Sequence, residues 1–94
     1  MSYQVLFRKR EMDPEYSVGF YYSYTLAMVV AKGEYYYRGG MTPTYRIIKS
    51  NEKPHRIPDH LYEVLTRVVG FLTSEEQEVF RDQHFVYLRA KGLV

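Results

Sequence analysis

The chain has no cysteine and no tryptophan in 94 residues, and little excess charge of either sign. Each scarcity removes a class of protein. Without cysteine there is no disulfide framework, the device small secreted folds most often need, and no thiolate for zinc or for nucleophilic attack. Met1-Ser2-Tyr3-Gln4 lacks the basic n-region and apolar stretch of an export signal, and no window reaches the ~18 apolar residues of a membrane span. The sequence therefore predicts a cytoplasmic protein. With 46% hydrophobic and 26% charged residues the composition excludes a disordered or low-complexity chain. Thirteen basic residues against eleven acidic ones, interspersed, leave a net charge of +2, too mild to argue for nucleic acid.

What the chain has in excess is tyrosine. Of eleven tyrosines, six fall in two bursts, Tyr21-Tyr22-Ser23-Tyr24 and Tyr35-Tyr36-Tyr37. Tyrosine joins a large rigid ring to a hydroxyl that needs a partner, so clusters of it suit interfaces and half-wet core edges. A chain of this length is one domain with a modest core that buries roughly 60–65% of the unfolded surface, so apolar positions must pack or meet a partner.

Tyr3, Val5 and Phe7 alternate within residues 3–10 and predict a strand. Glu11-Met12-Asp13-Pro14-Glu15 carries turn chemistry. Tyr16, Val18, Phe20 and Tyr22 alternate in turn, predicting a second strand antiparallel to the first. For Tyr24 to Arg38 a helix is preferred to a hairpin turning at Lys32-Gly33. It places Leu26, Val29, Val30, Gly33 and Tyr37 on one side, with Ser23 as cap and Gly39-Gly40 as stop. Thr44 to Ser50 reads as a third strand behind Pro43.

After a polar connector, Leu61, Val64, Leu65, Val68, Phe71 and Leu72 recur at helical spacing from Pro58 to Leu72. Thr73-Ser74-Glu75-Glu76 forms a capping box for a last helix to about Ala90, ended by Gly92, in which His84 to Leu88 would also serve as a strand. The expectation is an α+β domain over residues 1–94, ordered β-β-α-β-α-α. A three-stranded, mainly antiparallel sheet in residues 1–50 is packed by helices, with a helical tail at 58–91. The first helix also carries Met28, Ala31 and Tyr35 opposite its inner stripe, so the tail helices or a partner must cover it.

No constellation specifies a reaction. His55, His60 and His84 have no metal-ligand spacing, and the i,i+3 pair His60 and Glu63 reads as chance on a solvated face, so no metal and no cofactor are expected. No nucleophile elbow occurs, Glu75, Glu76 and Glu78 are explained by capping, and Gly39-Gly40 follows a helix where a phosphate cradle precedes one. No catalytic residue is assigned, which leaves a small enzyme as the weakest reading. Arg8, Lys9, Arg10, Lys49, Lys53 and Arg56, with exposed tyrosines, could form a nucleic-acid track. Glu11, Asp13, Glu15 and Glu52 among them blunt it.

The favoured reading is a non-enzymatic module that docks a macromolecular partner, a protein or a second copy of itself, by occlusion or scaffolding. Its surface is drawn from Tyr21, Tyr22, Tyr24, Met28, Tyr35, Tyr36 and Arg38, with Met41 alongside. The rival account is that the tail helices cover these rings within the chain. In size, polarity and want of a catalytic motif the chain resembles the accessory proteins of phages and mobile elements, many of which occlude a host protein. No particular residue carries that likeness.

Overall fold

Val5 and Phe7, fully buried, with Tyr3 beside them, make the alternating inner face of β1 (Ser2–Arg8). A computed structural model describes residues 1–38 and 44–93. The strand ends at Arg8, two residues earlier than the alternation predicts, because Lys9 and Arg10 enter the turn that Asp13 N closes on Arg10 O at 3.0 Å. β1 is the centre of a three-stranded antiparallel sheet, flanked by β2 (Tyr16–Tyr21) and β3 (Thr44–Ser50) in the order β2-β1-β3.

β2 corrects the expected face. Val5 pairs with Gly19 and Leu6 with Ser17, so Val18 is an unpaired bulge and the alternation reverses across it. Tyr16 still lies opposite Phe7, but Tyr21, not Phe20 or Tyr22, comes inward opposite Tyr3. Gly19 makes the bulge possible with φ +128°, a region closed to most side chains, and a Cβ there would stand 2.7 Å from the Tyr21 hydroxyl. That hydroxyl donates to Val18 O at 2.8 Å, which satisfies a phenol fully enclosed in the core.

The segment read as helix over hairpin is helix α1 (Tyr24–Tyr37), and the Ser23 hydroxyl accepts from Leu26 N as its cap. Gly33, a poor helix former, sits where a Cβ would meet Leu65 at 3.2 Å and Leu61 at 3.4 Å, so its absence lets the next helix approach. That helix, α2 (Leu61–Arg67), is shorter than its apolar period suggests. β-branched Val68 and Val69 and then Gly70 do not sustain it, and the chain passes into a 3₁₀ turn (Val69–Phe71) that leaves Phe71 exposed instead of buried.

α3 (Ser74–Ala90) begins at the expected capping box, with Glu76 N donating to the Thr73 hydroxyl and Thr73 N donating to Glu76 Oε1. His84 to Leu88 is helical. Gly92 N donates to Arg89 O and Leu93 N to Leu88 O, which with φ +74° at Gly92 is a Schellman stop.

The elements follow the order β-β-α-β-α-α, an α+β arrangement. α1 lies between the sheet and the pair α2 and α3, which explains the apolar girth noted in its sequence: Ala27 and Ala31 are as buried as Leu26, Val29 and Val30. Tyr37, expected on the inner stripe, is exposed. The Gly39-Gly40 stop, Met41 and Pro43 lie outside the described residues.

Candidate aromatic docking site

Among the described residues, no element covers one side of α1, between β3 and the start of α3. By helical spacing Tyr24, Met28, Lys32 and Tyr35 follow one another along that side, with Tyr36 at its margin. At the C-terminal end, Lys32, Tyr35, Tyr36, Tyr45 of β3 and Phe71 of the 3₁₀ turn line an open cavity of ≈ 290 Å³. Tyr36 stacks on Phe71 with ring centroids 5.5 Å apart and meets Tyr35 edge-on at 5.2 Å. At the other end Tyr24 meets Tyr3 edge-on at 6.0 Å.

Among the described residues Lys32 is the one cation lining the cavity, and its Nζ donates to Glu76 Oε1 at 2.6 Å. Burial works to raise the Glu76 pKa. The Lys32 hydrogen bond and the Thr73 amide outweigh it and hold the carboxyl below its ordinary value. The cleft is therefore aromatic and nearly neutral in charge. Exposure of 67% at Phe71, 55% at Tyr24 and 37% at Tyr36 leaves rings free to contact another molecule.

The sequence-predicted surface divides. Tyr35 and Tyr36 line the cavity, while Tyr24 and Met28 continue the same side of α1 toward its N-terminal end and do not line it. Tyr21 is a core residue, Tyr22 is exposed just before α1, and Arg38 lies elsewhere. The Arg38 guanidinium stands over the Tyr16 ring at 5.2 Å and the Phe7 ring at 6.0 Å, and its Nε donates to Glu34 Oε2 at 2.9 Å. Glu34 is 2% exposed. A carboxylate so placed only accepts, so His60 Nε2 donates to its other oxygen at 2.9 Å. Tyr37 covers the imidazole edge-on at 4.7 Å. Burial raises the Tyr16 phenol against the pull of Arg38.

Sequence reasoning missed Lys32, Tyr45 and Phe71, which reach the cleft through tertiary packing, and also Glu34, whose i,i+4 spacing to Arg38 was a readable signal. The three histidines are separately engaged: His55 against Phe20, His60 on Glu34, and His84 in one aromatic cluster with Tyr62 and Phe80. Among the described residues no group of three or more histidine, aspartate or glutamate side chains converges, and Glu63 faces Arg67 at 3.9 Å instead of His60. No hydroxyl hydrogen-bonds to His60 among the described residues.

The bases of the nucleic-acid reading are spread out. Arg8 pairs with Thr44 at one end of β1, while Lys49 pairs with Tyr3 at the other, about 16 Å away at a strand's ~3.3 Å rise. Arg8 lies 3.8 Å from Glu15. Arg46 takes Glu15 bidentately at 2.9 Å, a hydrogen bond that lowers the Glu15 pKa. Lys53 and Arg56 are exposed on the connector. No helix among the described residues is long and apolar enough to cross a membrane.

Comparison with protein-family models, with characterised proteins and with solved structures gives no match.

Proposed function

We propose that this chain is a non-enzymatic binding module that docks a protein partner in the aromatic cleft beside α1, acting by occlusion or scaffolding. The observation that carries the reading is the meeting of Tyr35, Tyr36, Tyr45 and Phe71 from three separate elements around one open cavity. α2 packs on α1 at Gly33, away from the cleft, and α3 reaches the cleft side through Glu76, which leaves the Tyr36 and Phe71 rings exposed. A cleft of this size and composition fits an inserted aromatic or aliphatic side chain, the usual anchor of an interface. Lys32 is held by Glu76, which leaves the cleft little preference for an acidic ligand.

Affinity capture from the native host, comparing wild type with Tyr24→Ala, Tyr36→Ala and Phe71→Ala, tests this. A stoichiometric protein should be recovered with wild type and lost with Tyr36→Ala and Phe71→Ala, each costing ~2 kcal/mol or more of binding. Tyr37→Ala, exposed but outside the cleft, should retain it. Equal recovery with all variants defeats the proposal.

A further inference from the structure

The two edges of the sheet are treated differently. β2 is blunted by the Val18 bulge and by the connector that crosses it, where His55 N donates to Phe20 O at 2.6 Å. β3 has neither defence. Its seven residues pair with β1 without a register shift and contain no proline, and among the described residues no strand lies on its other side. Sheets ordinarily protect such an edge, because its unpaired amides and carbonyls are a template for another strand.

We propose that the free edge of β3 pairs antiparallel with β3 of a second copy, about a two-fold axis through Ile47, so that two three-stranded sheets become one continuous sheet. The residues of β3 select this partner and register. Pairing with β1 places Tyr45, Ile47 and Lys49 on the inner face with Tyr3, Val5 and Phe7, and Arg46 and Ile48 on the outer face. With the axis at Ile47, that residue meets its own copy, Tyr45 meets Lys49, Arg46 meets Ile48, and Thr44 meets Ser50. All seven residues are then paired, no like charges are opposed, and every pair shares a face.

Neighbouring registers are worse. An axis at Arg46 or Lys49 sets a cation against its own copy. One at Ile48 leaves Thr44 and Tyr45 unpaired and puts Lys49 against Ile47. Lys49 has no ion pair among the described residues, and in the dimer its ammonium gains the Tyr45 ring of the second copy. Arg46, held by Glu15, keeps its charge compensated on the outer face. A two-fold axis normal to the sheet keeps both α1 helices on one side, so the two aromatic clefts flank the axis.

Sedimentation equilibrium of the full chain reads the self-association. Ile48→Lys sets a lysine against Arg46 at two symmetric places and should raise the dimer dissociation constant about tenfold. Ile48→Glu should leave it at the wild-type value or lower it. Ile48 is 36% exposed on the outer face, so both variants spare the core, and circular dichroism matching wild type verifies their fold. Because the chain has no cysteine, Ile47→Cys and Thr44→Cys report register. On oxidation Ile47→Cys should form a disulfide-linked dimer, and Thr44→Cys should remain largely unlinked. A monomer at every concentration, equal dissociation constants for the two Ile48 variants, or readier cross-linking of Thr44→Cys would overturn the proposal. Tyr36→Ala should keep the dimer while losing a cleft partner, so the two proposals fail separately.

Discussion

Gly19 joins backbone, core and surface in one residue. Its positive φ lets the bulge form, the bulge turns Tyr21 inward, and the Tyr21 hydroxyl returns to the Val18 carbonyl that the bulge freed. Gly19→Ala should therefore destabilise the fold by about 1–3 kcal/mol, from backbone strain and from the 2.7 Å approach of a Cβ to the phenol oxygen. Tyr21→Phe alone removes one hydrogen bond, at a cost of about 1 kcal/mol. In the double variant the crowding oxygen is gone, so the two costs should add to less than their sum, as measured by urea unfolding of the four proteins. Full additivity would show that the phenol does not crowd the position. The bulge was illegible in the sequence because strict alternation continues across it. Tyr16, Val18, Phe20 and Tyr22 read as one face, and only the pairing with β1 shows that Val18 has no opposite number.

At the scale of elements, what was legible is what local chemistry determines. Ser23 caps α1, Thr73 and Glu76 close the box of α3, and Gly92 stops it, each through hydrogen bonds within a few residues of chain. What failed depended on distant partners. Gly33 argued against a helix until Leu61 and Leu65 explained it, and Phe71 left the apolar stripe to stack on Tyr36. Part of the site was readable in the same way: Tyr35 and Tyr36 share a helix, whereas Tyr45 and Phe71 join them only by folding. Glu76 couples α3 to α1 through Lys32, and its depressed pKa gives this coupling a sign. A carboxyl whose folded pKa is lower than its unfolded value, near 4.3, stabilises the fold above that value and loses the contribution as pH falls through the folded one. Glu15, lowered by Arg46, acts in the same direction. Unfolding free energy should thus decline below about pH 4.3, and the decline should be shallower in Glu76→Gln, whose amide can still cap the helix. An unchanged acid slope in that variant would assign the loss to other groups.

For the whole molecule the deciding quantity is where the charge stands in relation to the rings. Thirteen basic residues would supply a phosphate track if they converged, but the sheet register places Arg8 and Lys49 at opposite ends of β1, and Glu15 occupies Arg46 and approaches Arg8. The aromatic cleft lies on the face of the sheet covered by α1, and the Glu15 cluster lies on the other face, so a strand stacked on the rings would leave that basic group unused. A polymer bound through phosphates releases counterions, and its log affinity falls with log salt at a slope of about −0.9 per phosphate neutralised on duplex DNA and about −0.7 on single strands. A side chain seated among Tyr35, Tyr36, Tyr45 and Phe71 releases almost none. Binding of the cleft's partner should therefore change less than about threefold between roughly 50 and 200 mM salt, where several phosphate contacts would cost about a thousandfold. It should also survive replacement of Arg8, Lys9 and Arg10 together by alanine. A steep salt slope that this triple replacement flattens would move the function to nucleic acid, and would leave the aromatic cleft as a structural feature of the monomer.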